Sequence, residues 1–176
     1  MQRRSLLKLG LSGTIALTLV GGGVALLYTP TWRGGRLTQS GRHVLGGIAR
    51  AVLDGSLPAA AGPQADALVS HLDRMDATLR ALPPPTQHEV ANLLALLATA
   101  PGRLALTGLS ADWAQASVAQ TQAALEGMRT SRLSIRQQAY HALRDLTHAA
   151  YFASPETWPQ LGYPGPVRVA SALLPP

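Results

Sequence analysis

Residues 65–85 read Ala-Asp-Ala-Leu-Val-Ser-His-Leu-Asp-Arg-Met-Asp-Ala-Thr-Leu-Arg-Ala-Leu-Pro-Pro-Pro. Ala65, Leu68, Val69, Leu72, Met75, Leu79 and Leu82 recur at helical spacing and form one apolar stripe. Asp66, Asp73, Arg74, Asp76 and Arg80 fall on the opposite, solvated face. The prolines at 83–85 withdraw backbone donors, so the helix ends there.

The same period runs to either side. Val44, Leu45, Ile48, Val52 and Leu53 predict a helix that begins near Leu37 and stops at Asp54-Gly55, ahead of Pro58. Thr86-Gln87-His88-Glu89 has the spacing of a capping box, and Val90, Leu93, Leu94, Leu96 and Leu97 then predict a short buried helix. Pro101-Gly102 breaks it, and residues 103–110 fit a loop packed on the core. A fourth helix is expected from Asp112 to Arg129, anchored by Trp113, Leu125 and Met128. Ser134-Ile135-Arg136-Gln137 is a second capping-box pattern, opening a fifth helix to about Ala153 with Ile135, Ala139, Leu143, Leu146 and Ala150 inward. No five-residue stretch alternates with period two, and no repeat of domain-building length recurs. The expected fold is all-α: one compact domain of five or six helices over residues 37–166, with 167–176 as a C-terminal tail.

Length and composition agree with that. The chain has 176 residues, 47% hydrophobic and 14% charged, which suits one folded domain and excludes a disordered chain. With no cysteine, disulfides, thiolate metal sites and a cysteine nucleophile are excluded. The net charge of +6 first suggests a nucleic-acid partner. Its distribution removes that reading: residues 1–50 hold seven of the fifteen basic residues and no acid, whereas residues 51–176 hold eight against all nine acids. Residues 51–176 are close to neutral, so no phosphate-binding surface is expected within them.

The N-terminus explains the excess. Arg3 and Arg4, followed by Ser5, Leu6, Leu7 and Lys8, precede a run without charge from Leu9 to Tyr28. As a helix that run would be about 30 Å long, the thickness of a bilayer's hydrocarbon core. The paired arginines, with Leu6, Leu7 and Lys8, resemble a twin-arginine (Tat) export signal; Gln2 departs from the usual Ser or Thr ahead of the pair. Glycines at 10, 13 and 21–23 dilute the apolar run, as such signals tolerate. The rival reading is an ordinary anchor whose arginines only set orientation. Gly23-Val24-Ala25 is a small-x-small cleavage site, yet no Ala-x-Ala exists, so removal and retention both stay open. Residues 1–29 are thus a signal peptide or signal anchor, residues 30–36 a linker, and the body is expected in the periplasm or on the periplasmic face of the cytoplasmic membrane.

Chemistry is scarce. There is no nucleophile elbow and no phosphate loop, and the acids are scattered. His141, Asp145 and His148 share one helical face at i, i+4 and i+7 and are the weak candidates for a metal site; the plainer alternative is a polar helix edge. The more informative cluster is C-terminal. Tyr151, Phe152, Trp158 and Tyr163 are four of the chain's eight aromatics. Ser154 and Pro155 can open a short helix ending at Gly162, and Tyr163-Pro164-Gly165-Pro166 then forms a rigid turn. Aromatics beside a rigid turn serve equally as a core lid or as interface anchors.

The run from Tyr151 to Pro166, with its paired aromatics, Pro155, Trp158 and Gly162-Tyr163-Pro164-Gly165-Pro166, resembles the C-terminal signature of the gluconate 2-dehydrogenase subunit 3 family. Trp113, Leu125, Met128-Arg129 and Ser131 echo the family upstream, and the likeness spans about residues 40–166. Phe152 replaces a more usual Tyr, and Asp54-Gly55-Ser56-Leu57-Pro58 departs from the family's turn. The resemblance implies a non-catalytic small (gamma) subunit with no cofactor of its own. Its partner would be a large FAD-dependent dehydrogenase subunit of the glucose-methanol-choline type, often joined by a cytochrome c subunit and exported through the Tat translocase. On that reading Tyr151, Phe152, Trp158, Gly162, Tyr163, Pro164, Gly165 and Pro166 form the partner interface. The rival expectations are a small envelope metalloprotein and a free-standing anchored helical protein.

Overall fold

The computed structural model describes residues 30–166. The signal residues Arg3, Arg4, Leu6, Leu7 and Lys8, and the tail 167–176, lie outside the described residues. The elements in order are β1 (Trp32–Arg33), β2 (Arg36–Leu37), α1 (Gln39–Val52), α2 (Ala61–Arg80), α3 (Pro84–Ala98), α4 (Ala100–Thr107), α5 (Val118–Arg129), α6 (Ser134–Phe152) and a 3-10 helix (Pro155–Leu161). The fold is all-α apart from one two-residue antiparallel ladder.

The first helix, α1, is the hub. It packs on α2, α3, α5 and α6, and Val44, Leu45, Ile48 and Ala49 are fully enclosed. Glycine permits one of its closest approaches: a Cβ on Gly47 would lie 3.0 Å from both the Cβ and the carbonyl oxygen of Trp113. Trp113 fills that site, its indole N–H donating to Leu97 O at 2.8 Å. Arginines tie the elements together through backbone carbonyls: Arg50 of α1 to Trp113 O in the loop before α5 (2.6 Å), Arg74 of α2 to Ala150 O of α6 (3.0 Å) and Arg136 of α6 to Leu106 O of α4 (2.6 Å). Each such bond satisfies a carbonyl left without a helical partner.

Several boundaries differ from expectation. Helix α3 begins at Pro84, not at Thr86, because proline suits a first turn that needs no N–H. Gln87 instead donates to Leu82 O and Arg80 O, closing the end of α2. Residues 100–107 are a helix rather than a loop: Thr99 caps it by accepting from Gly102 N–H at 3.1 Å, and the chain bends 103° between α3 and α4. The helix expected from Asp112 starts at Val118, since Ser117 and Gln120 form a reciprocal capping box there. The Ser134–Gln137 pattern makes no such box; Gln137 donates to Ser131 O. Asp76, expected on a solvated face, is buried, accepting from Leu37 N–H (2.8 Å) and Arg42 (3.1 Å). Conversely Val69, expected in the core, is 57% exposed; the buried residues of α2 begin at His71.

Residues 30–36, expected as a linker, belong to the body. Trp32–Arg33 pairs with Arg36–Leu37 across Gly34-Gly35 in a tight hairpin. No single helix among the described residues is long and apolar enough to cross a membrane.

Candidate interaction site

The C-terminal aromatic segment divides into an inner and an outer layer. Tyr151 closes α6 and is a core residue, 3% exposed. It packs with Ala49 of α1 and with Leu53 just past its end, and its hydroxyl donates to Ser56 O at 2.7 Å. Phe152 stacks edge-on against Tyr151 (5.1 Å between ring centres) and is half-buried. Tyr151 is therefore removed from the interface set: its polar tip is satisfied inside the protein.

The chain then reverses through the 3-10 helix, whose register is held by threonine. Thr157 is buried and its hydroxyl donates to Ser154 O (2.7 Å) and Tyr151 O (3.3 Å). Trp158 is half-buried; its indole N–H donates to Phe152 O at 2.9 Å, capping the last turn of α6. Gly162, at φ +64°, ends the 3-10 helix in the left-handed region as its sequence position predicts. Gly165 has φ +98° and is buried under the Trp158 ring, where a Cβ would meet ring carbon Cζ3 at 3.2 Å. Tyr163 sits edge-on to Trp158 at 5.3 Å.

What remains outside is apolar and fixed. Leu161 is 57% exposed and Tyr163 47%. Pro155, Trp158, Pro159, Gly162, Tyr163 and Pro164 line an open concavity of about 500 Å³. Its lining is proline, glycine and aromatic residues, the Tyr163 hydroxyl being the one polar side-chain group besides the Trp158 indole N–H. It presents ring faces and proline edges, which lose little conformational freedom when covered.

The second candidate, on α6, does not assemble into a ligand set. His141 and Asp145 are exposed; Asp145 pairs with Arg144 Nε at 3.0 Å. His148 turns toward Phe152, 5.9 Å away, and its pKa is lowered by burial and then by Arg144. Among the described residues no group of three or more His, Asp or Glu is placed to hold a metal.

One polar group behind the segment escaped sequence reasoning. His71 of α2 is fully buried, edge-on to Tyr151 at 6.0 Å, and neither ring nitrogen has a protein partner. Burial first, and then the Arg74 guanidinium, lower its pKa to about 4, so the ring is neutral at pH 7. Its spacing from Leu68 and Met75 placed it on the inward stripe, which was the signal available. Comparison of the chain with protein families, curated proteins and solved structures finds no match.

Proposed function

We propose that this chain is a non-catalytic small subunit that binds, helps mature and escorts a periplasmic FAD-dependent dehydrogenase of the glucose-methanol-choline type. FAD and substrate belong to the large partner; this chain supplies the twin-arginine signal and the contact surface. The observation that carries the reading is the outer layer of residues 155–165. Large apolar groups are exposed there, yet they are held by Trp158, Thr157 and Gly165 in one shape. A segment rigid before binding loses less entropy on assembly.

A double Leu161→Ala, Tyr163→Ala variant tests the interface. Assembly with the flavoprotein should weaken by about 2 kcal/mol or more, the scale of an interface hot spot. Thermal unfolding of the variant subunit should stay close to wild type, as exposed positions allow. Unchanged assembly would remove the interface assignment.

Export is tested separately. Replacing Arg3 and Arg4 with Lys should leave this subunit and its flavoprotein in the cytoplasm, because the pair is the recognition element of the signal. Normal periplasmic yield of both would end the Tat assignment.

A further inference from the structure

The chain enters the body without slack. Thr38 Oγ1 donates to Pro30 O at 2.6 Å and Thr38 N–H to Thr31 O at 3.0 Å. Thr31 Oγ1 donates to Ala91 O at 2.9 Å, and Leu37 N–H to Asp76 Oδ1 at 2.8 Å. A Cβ on Gly41 would collide with Thr31 O, so α1 lies directly against this segment. Residues from Pro30 onward are therefore fixed to the helices, and the apolar stretch of the N-terminal run ends at Tyr28, ahead of Thr29-Pro30. Two extended residues span about 7 Å. The headgroup layer on one face of a bilayer is roughly 5–8 Å deep. A body attached to a retained anchor thus sits with its hairpin at the headgroups.

That hairpin is positively charged. Arg33 and Arg36 are exposed and stand opposite each other in the ladder, an arrangement unfavourable for like charges in isolation. Arg80, at the end of α2, joins them by donating to Gly35 O at 3.0 Å. All nine acids of the chain lie between Asp54 and Glu156, and none falls in residues 1–29 or 167–176. Asp73 and Asp76, the acids closest along α2, are held by Arg42 at 2.7 and 3.1 Å. Trp32, half-buried beside the arginines, is the residue type favoured where protein meets the bilayer surface.

We propose that Trp32, Arg33, Arg36 and Arg80 form a docking surface for anionic phospholipid headgroups. The inference rests on the exported subunit of the preceding section keeping its N-terminal run as an anchor. It also orients the molecule. The hairpin touches the start of α1 and the end of α2, whereas Tyr151 packs on Leu53 and Ser56, just past the far end of α1. The fourteen residues of α1 separate these ends by about 20 Å. The 155–165 segment is thereby lifted away from the lipid, toward a water-soluble partner.

Hydrogen exchange of the full-length chain in vesicles tests this, with phosphatidylcholine alone compared with phosphatidylcholine plus phosphatidylglycerol. Each arginine near an anionic surface strengthens the attraction about fivefold. Phosphatidylglycerol should slow exchange of residues 32–36 severalfold, high salt should reverse the slowing, and residues 155–165 should not respond. An Arg33→Gln, Arg36→Gln variant should lose the slowing while α1 exchanges as in wild type, which establishes that it is folded. Equal exchange in the two vesicles, or a variant indistinguishable from wild type, overturns headgroup docking and leaves the flavoprotein contact intact. Failure to sediment with either vesicle overturns the anchor on which the inference rests. Slowing that requires added flavoprotein instead of phosphatidylglycerol reassigns the hairpin to a protein contact and also overturns it.

Discussion

Trp113→Ala is expected to cost the folded domain about 4–5 kcal/mol, the upper end for emptying an aromatic site. Trp113 is among the largest fully buried side chains and sits where Gly47, Leu97 and Arg50 converge. Two penalties add. The ring leaves a cavity that α1 cannot fill, because Gly47 has no side chain to move into it. Leu97 O also loses its donor inside the protein, at a cost of roughly 1–3 kcal/mol if nothing replaces it. Domains of this kind are stable by only about 5–15 kcal/mol, so the variant should be partly unfolded or melt far below wild type. Urea denaturation of the pair measures the difference. A loss below about 1 kcal/mol would mean that Trp113 is not the keystone between α1 and α3.

Acidification gives the second large effect. His71 has a native pKa of about 4 against an ordinary value of 6.5. Below pH 6.5 the unfolded chain takes up a proton that the native ring refuses, and the native state loses about 1.4 kcal/mol per pH unit until pH 4. The stability present above pH 6.5 should therefore fall by about 3 kcal/mol across that window. Arg74 is the charged neighbour that opposes protonation, and Tyr151 faces the ring without offering it a hydrogen bond. His148, lowered for the same reason, acts in the same direction. A His71→Phe variant keeps an aromatic of similar size and removes the titration. Its stability should be at least that of wild type at pH 7, where the neutral imidazole buries two unpartnered nitrogens, and should decline less toward pH 4. Parallel pH profiles for the two proteins would contradict this.

Helix identity was legible wherever an apolar stripe was long. The stripes of α1 and α6, and that of α2 from Met75 onward, pointed to buried residues that close the core, and the Pro155–Gly162 element followed from proline at its start and glycine at its end. Boundaries were less legible, because capping patterns recur more often than caps form. Thr86 and Ser134 both have the spacing, but Pro84 already starts one helix and Leu133 precedes the other; Ser117 makes the box. Asp76 was misplaced because its burial depends on Leu37 and Arg42, distant in sequence and invisible to a helical pattern. The hairpin was too short for alternation to register, and its attachment rests on side chains far apart in sequence: Asp76 and Arg80 of α2 reach it, and Thr31 reaches Ala91 O. At the candidate site, the aromatic cluster was conspicuous in the sequence. Its split into an inner Tyr151 and an outer Tyr163 was not, since it depends on where α6 ends relative to Leu53 and Ser56.

Purification of the assembly from membranes through a tag on this chain, with its subunit masses and visible absorption spectrum, tests the central claim most directly. The predicted result is a large partner carrying flavin absorption, present with the wild-type chain and lost together with that absorption when Leu161 and Tyr163 are replaced by Ala. A chain that purifies alone without flavin, or one that retains flavin after the partner has been removed, would contradict it.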